Sequence, residues 1–146
     1  MATLPKPVPG LVIRYSYLWA DEHDDGREEG RKDRPCAIVL AALMLDNSTS
    51  VVVLPVTHSP PMSHDSAVEI PSATKRRLGL DGERSWIVIS EANEFGWPGP
   101  DLRPASSDAR MNVAYGEIPA DLFRRVRDAF VQAYRQRHAR IIKRSS

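Results

Sequence analysis

The sequence predicts a mainly β protein, a small β-barrel followed by a C-terminal helix. Two observations support this prediction. Short apolar segments rich in β-branched and aromatic residues alternate with turn-forming residues about every ten positions, which is typical of barrels and sandwiches. Near the end, apolar residues recur at intervals of three and four, the period of an amphipathic helix. With 146 residues, the chain is expected to form one domain spanning residues 1–146.

Five segments are predicted to be strands. They are Leu11–Trp19, Pro35–Leu45, Val51–Thr57, Ala67–Ile70 and Ser85–Ser90. The second and third are almost continuously apolar, which indicates strands buried on both faces. Because Pro55 cannot donate a backbone hydrogen bond, it is expected at a sheet edge or at a bulge. Ser72–Leu78 is predicted to make about one or two helical turns, which Gly79 ends.

The other segments before the final helix are predicted to be irregular. Ala20–Asp33 is polar and rich in carboxylates without any period, which indicates a loop. Glu91–Ala114 shows little pattern and contains several prolines and glycines. The barrel is therefore assigned to residues 11–95, an irregular connection to 96–116, and the C-terminal helix to 117–141.

The closing helix is predicted to be amphipathic, with Pro119 in a first-turn position. Its apolar stripe contains Leu122, Val126, Ala129 and Ala133. The opposite face and the following residues are basic, and a solvated face is the default interpretation of such a pattern. The basic residues are Arg124, Arg125, Arg127, Arg135, Arg137, Arg140, Lys143 and Arg144. They are also suited to attract RNA phosphates or an acidic protein.

The composition restricts the location of the protein more than its activity. The formal net charge of +1 does not by itself indicate a nucleic-acid-binding protein. The single cysteine, Cys36, fits a reducing compartment. No segment has the pattern of a signal peptide or of a membrane-spanning helix. The sequence therefore predicts a cytoplasmic protein without a membrane association.

Three stretches, taken in order, have a recognisable pattern. In GRKDRPCAIVL (residues 30–40), a charged loop ends in Arg34-Pro35 and leads into an apolar strand. In VVLPVTHS (residues 52–59), an apolar strand ends in Thr57. In YGEIP (residues 115–119), a glycine introduces the closing helix. In this order and spacing, the stretches resemble those of the MazF/PemK family of toxins.

The resemblance implies an SH3-like barrel that forms a homodimer. It also implies the toxin of a type II toxin–antitoxin system, which cleaves single-stranded RNA without a metal ion or other cofactor. Members of the family are silenced by an antitoxin whose flexible tail fills the RNA groove. The expected products carry 2′,3′-cyclic phosphate and 5′-hydroxyl ends.

Metal-free cleavage of RNA needs a base, an acid and a group that stabilises the developing negative charge. Arg34 is the candidate for the stabilising group, because its planar guanidinium is always charged and matches a phosphate. It also matches the functional arginine of the family. Thr57 matches the family's active-site threonine, although its hydroxyl is equally suited to capping the next turn.

The base and the acid are less clearly indicated. Glu29 lies five residues before Arg34, where some family members have an important acidic residue, and Glu91 is the alternative base. Ala92 follows Glu91 where members have glutamine, and the arginine that serves some members as acid is absent. His58 is a candidate to supply the missing proton, since histidine titrates closest to neutral pH.

The residues expected to contact RNA are Arg31, Lys32, Ser59, Trp97 and Arg103. Trp97 has two interpretations. It is suited to stack on an unpaired base, and it is also suited to pack with Phe95 over an open end of the barrel, which is favoured.

Three further hypotheses remain. A metal site at His23, Asp24 and Asp25 is disfavoured, because their spacing matches no metal-binding motif. A non-catalytic barrel that binds RNA or a protein is the main alternative to a nuclease. A toxin that acts on a protein target is a third hypothesis, which no specific residue supports.

Overall fold

The computed structural model describes residues 4–27, 30, 32–63, 65–105 and 112–144. Within these residues the chain forms eight strands and three helices. In chain order they are β1 (Leu11–Ser16), α1 (Ala20–Asp24), β2 (Asp33–Leu43), β3 (Thr49–Thr57), β4 (Ala67–Glu69), α2 (Ser72–Leu78), β5 (Trp86–Val88), β6 (Glu91–Trp97), β7 (Ala114–Glu117), α3 (Ala120–Arg135) and β8 (Arg140–Lys143).

The strands form one curled sheet in the order β4-β5-β3-β2-β1-β7, and β6 pairs with β3 outside this path. The pairing is antiparallel except where β8 runs parallel to β6. A mainly β chain with a curled antiparallel sheet and a C-terminal helix fits a small β-barrel. The predicted fold class is therefore confirmed at this level.

Strand β3 is the centre of the sheet. One edge pairs with β2 along most of its length. The other edge pairs with β6 from Thr49 to Val53 and with β5 at Val56 and Thr57. Pro55 lies opposite Cys36 of β2, so it is neither on an outer strand nor at the bulge of β2. It falls where the other edge changes its partner, a position where a missing donor interrupts no continuous ladder.

Several elements differ from the sequence-based expectations. Strand β7 pairs with β1 although most of it lies in the connection expected to be irregular over residues 96–116. Strand β6 occupies a segment expected to show little pattern, and α1 occupies part of the expected loop. The closing helix was expected over residues 117–141, but it ends at Arg135 and β8 follows. Arg137 has a positive φ of 61°, a left-handed conformation that cannot continue a right-handed helix.

Strand β3 is buried on both faces, as its apolar run predicted. The same expectation was wrong for the second half of the β2 run, where Leu40 and Leu43 are exposed. Alternate residues of β3 face two clusters of apolar side chains: Leu54 faces α3, whereas Val53 faces Tyr15 and Phe95. Helix α3 contributes Leu122, Val126, Phe130 and Ala133 to the first cluster, which confirms the amphipathic stripe. Each fully buried side chain of this size contributes about 1.5–3 kcal/mol. Within the described residues, no helix is long and apolar enough to cross a membrane.

A buried polar network fixes the end of the described chain. Arg144 donates to the Tyr15 hydroxyl (3.1 Å), the Ser16 carbonyl (2.8 Å), Asn93 Oδ1 (3.2 Å) and Asp101 Oδ2 (3.1 Å). Its side chain is only 3 % exposed. Arg144 was expected on a solvated basic face, and this expectation was wrong because its charge is neutralised inside the protein by a carboxylate and dipolar acceptors.

Candidate functional site

A groove of about 450 Å³ lies between the start of β2, the end of β3 and the turn that follows α2. Among the described residues that line it, five have basic side chains. We call it the cationic groove. The basic residues are Arg14, Lys32, Arg34, His58 and Lys75. Among the residues that the structure describes, the carboxylates in the lining are Asp33 and Asp81. An excess of cationic groups in a concave surface favours an anionic ligand.

Arg34 is held at one wall of this groove by two contacts. A guanidinium nitrogen, Nη1, donates to the Val56 carbonyl at 3.2 Å, and the guanidinium carbon lies 4.8 Å from the centre of the Trp19 ring. Its Nε is buried and has no hydrogen-bond partner among the residues that the structure describes. The guanidinium is therefore oriented by the protein while part of its donor capacity is unused.

His58 reaches the same groove from the neighbouring strand. It follows the end of β3, while Arg34 is near the start of β2, and the two strands are antiparallel with Cys36 opposite Pro55. His58 Nε2 lies 2.8 Å from Asp81 Oδ2 and 3.6 Å from Glu83 Oε2. The strand pairing thus brings together two residues that the sequence suggested separately.

Lys75 is a residue of the groove that the sequence did not indicate. It is only 4 % exposed, and Nζ donates to Asp81 Oδ1 (2.6 Å), to Ser85 Oγ (2.7 Å) and to the Glu83 carbonyl. These bonds fix the turn after α2. The bond from Lys75 is also the main reason why the pKa of Asp81 is lowered, so Asp81 remains a carboxylate near neutral pH.

Glu91 lies in a second groove of about 600 Å³, which Trp19, Glu22, Lys32 and Arg34 also line. We call it the Glu91 groove. Glu91 Oε1 accepts hydrogen bonds from the Tyr17 hydroxyl (3.1 Å) and the Ala20 amide (2.9 Å). Burial raises the pKa of Glu91 above its usual value. Arg34 and Lys32 line both grooves, the one that contains Glu91 and the one that contains His58.

Thr57 and Ser59 are linked to each other. The Ser59 amide donates to Thr57 Oγ1 at 3.1 Å, so the Thr57 hydroxyl caps the turn, which is one of its two sequence interpretations. Thr57 is half-buried and Ser59 is exposed.

Trp97 packs on the side of the sheet opposite α3. Its ring centre lies 6.3 Å from that of Phe95, and Phe95 stacks on Tyr15 at 4.5 Å. This geometry matches the packing interpretation, and stacking of Trp97 on RNA stays a prediction. Arg103 donates to the carbonyls of Pro100 and Leu102, and its Nε lies 3.6 Å from Asp33.

Two other expected site residues, Glu29 and Arg31, lie outside the described residues. Lys32 is exposed at the junction of the two grooves. Asp24, considered as part of a metal site, instead forms a two-point ion pair with Arg140 at 2.7 and 2.9 Å. Cys36 is buried, and burial raises the pKa of its thiol, so it is neither a thiolate nor accessible.

The chain matches no family model, and no curated protein sequence matches it. The side chains of the two grooves are therefore the basis on which a function is assigned.

Proposed function

We propose that the protein is a metal-independent endoribonuclease of the MazF/PemK toxin type, with an SH3-like barrel, that binds single-stranded RNA across its two grooves. One observation carries the proposal: Arg34 and His58, suggested separately by the sequence, line the same cationic groove. An anchored cation beside an imidazole supplies two of the three groups that metal-free RNA cleavage needs.

Arg34 is assigned to the developing charge on the phosphate. Its contacts with Val56 and Trp19 orient the guanidinium before substrate arrives. A preoriented donor stabilises a transition state without any reorganisation at the moment of reaction. The planar fork also matches the geometry of two phosphate oxygens.

His58 is assigned as the acid that protonates the departing 5′-oxygen. Asp81 contacts Nε2 of its ring, which orients the imidazole. A histidine held by a carboxylate in this way is a common arrangement for proton transfer. The products expected from this mechanism are a 2′,3′-cyclic phosphate and a 5′-hydroxyl.

Glu91 is assigned as the base that activates the 2′-hydroxyl. Its raised pKa makes the carboxylate a stronger base than one in water. Because Arg34 lines both grooves, a phosphate bound to it has Glu91 on one side and His58 on the other. The proposal includes a cytoplasmic homodimer and an acidic antitoxin, whose negative charge suits the cationic groove.

A non-catalytic barrel that binds RNA or a protein is the second candidate function. The hydroxyl of Thr57 and the carboxylate of Glu91 both accept hydrogen bonds within the protein. Side chains engaged in this way are suited to a structural role, and this observation favours a binding module.

The test is an incubation of the purified protein with a mixed pool of single-stranded RNA in EDTA, followed by mapping of the ends. We expect cyclic-phosphate and 5′-hydroxyl ends, and we expect Arg34→Ala to lower the rate by about 10²–10³-fold. Arg124→Ala, an exposed arginine on α3, is the matched control and should cleave normally. RNA binding without cleavage by the folded protein would support the binding module instead.

A further inference from the structure

We propose that His58, Asp81 and Glu83 form a binding site for Zn²⁺ at the edge of the cationic groove. None of the motifs in the sequence indicates this site, because its ligands come from two separate elements. His58 follows β3, and both carboxylates belong to the turn after α2. Zinc binding itself does not depend on the proposed nuclease activity.

The distances between the three ligand atoms suit one small ion. His58 Nε2 lies 2.8 Å from Asp81 Oδ2 and 3.6 Å from Glu83 Oε2, and all three atoms lie within 4.8 Å of one another. Ligand atoms around a tetrahedral zinc ion, with bonds near 2.1 Å, are roughly 3.4 Å apart. Small side-chain rotations therefore bring these three atoms to a common ion.

The turn that carries the carboxylates is preorganised by the buried Lys75. Its ammonium group donates a hydrogen bond to Oδ1 of Asp81, and the Glu83 amide also donates to that oxygen at 3.1 Å. The second oxygen, Oδ2, is left facing His58. A ligating carboxylate whose other oxygen is hydrogen-bonded is a common feature of metal sites, because the outer bond orients the ligand.

The donor set selects the class of ion. One imidazole nitrogen and two carboxylate oxygens suit zinc and its neighbours in the first transition row, whereas Mg²⁺ and Ca²⁺ prefer oxygen ligands alone. The side chains of His58 and Asp81 are about half exposed and that of Glu83 is 74 % exposed, so an ion reaches them directly and keeps water in its open position. The charge of Lys75 opposes the ion and lowers its affinity.

Zinc binding has a consequence that rests on the proposed function. A bound ion occupies Nε2 and prevents the ring from becoming the doubly protonated imidazolium, which is the acid that the proposed mechanism requires of His58. Zinc therefore inhibits the proposed nuclease, and EDTA maintains its activity.

Binding is tested without RNA, by calorimetric titration of EDTA-treated and dialysed protein with Zn²⁺. We expect one ion per chain, and we expect His58→Ala and Glu83→Gln each to weaken its affinity at least about tenfold. His138→Ala replaces an exposed histidine beyond α3 and should bind normally. In ¹⁵N spectra of the imidazole rings, zinc should shift Nε2 of His58 most.

No saturable binding, or undiminished binding by His58→Ala, would overturn the site. Inhibition is measured separately, on cleaving protein, by adding zinc. Glu83→Gln keeps His58 and should need at least about tenfold more zinc for half-inhibition. Tight binding of zinc without inhibition would retain the site and reject its regulatory role, whereas failure of the nuclease assay leaves the calorimetric test unaffected.

Discussion

Arg34 and Arg144 carry the same guanidinium group, but the protein surrounds the two groups in different ways. Arg144 is buried, and its acceptors include the Ser16 carbonyl, Asn93 Oδ1 and the carboxylate of Asp101. Arg34 donates to a single carbonyl, lies over Trp19, and has an Nε without a partner among the described residues. The two guanidinium groups carry the same charge, but the protein supplies acceptors to Arg144 and leaves part of the donor capacity of Arg34 unused.

The free-energy cost of each arrangement explains the difference. An unpaired buried donor costs about 1–3 kcal/mol. The unpaired Nε of Arg34 therefore lowers the free energy of unfolding. A phosphate bound at this guanidinium would add charge-assisted hydrogen bonds to it. At Arg144 the hydrogen bonds described above are all to the protein, so a ligand would have to displace one.

The largest effect is expected at Arg144. Arg144→Ala leaves the Asp101 carboxylate, whose side chain is 13 % exposed, and Asn93 without their cationic partner. We expect the free energy of unfolding to fall by about 3–5 kcal/mol, the usual result of breaking a buried pair from one side. Urea denaturation measures this change. A loss below about 1 kcal/mol, typical of an exposed pair, would show that the network is not a structural unit.

Arg34→Ala is expected to change stability much less. It removes one hydrogen bond and a contact with Trp19, each worth about 0.5–1.5 kcal/mol, but it also removes the unpartnered Nε. The net loss in the same urea experiment should be below about 1 kcal/mol. A loss as large as that of Arg144→Ala would place Arg34 among the structural arginines and undermine its assignment to substrate.

The smallest effect is a pH dependence at Glu91. Burial raises the pKa of Glu91 in the folded protein above its ordinary value of 4.5, so the folded state binds this proton more tightly than the unfolded state. Its contribution to stability is complete below pH 4.5 and is lost as the pH rises through the raised pKa. Glu91→Gln should therefore gain stability relative to the wild type as the pH rises from 4 to 7. Parallel unfolding curves at both pH values would contradict this.

The sequence predicted the elements whose signal is local. The apolar runs of β2 and β3 and the apolar stripe of α3 were assigned from their own residues. Strand β6 was missed because Asn93 resembles a loop residue. Its burial depends on Leu18 and Arg144, which supply partners from distant parts of the chain. Helix α1 was missed because its residues are mostly polar and show no apolar period.

The candidate site was predicted in part. Arg34 was indicated by its position just before an apolar run and His58 by its position just after one, and the pairing of β2 with β3 places both at the cationic groove. Lys75 and Asp81 were missed, because Lys75 lies in a basic segment typical of an exposed helix. The Lys75 ammonium group is buried by the turn after α2. Such a turn leaves no periodic pattern in the sequence from which it could be predicted.

The central position of β3 has a consequence for local opening of the protein. A strand with partners on both edges is among the last to release its amide protons in hydrogen exchange. Val56, whose carbonyl holds Arg34, belongs to this strand, and His58 follows it directly. Arg34, through its hydrogen bond to Val56, and His58, through the chain, are therefore both tied to a strand that should exchange slowly. Fluctuations that detach β8 or the outer strands should leave the spacing between them intact.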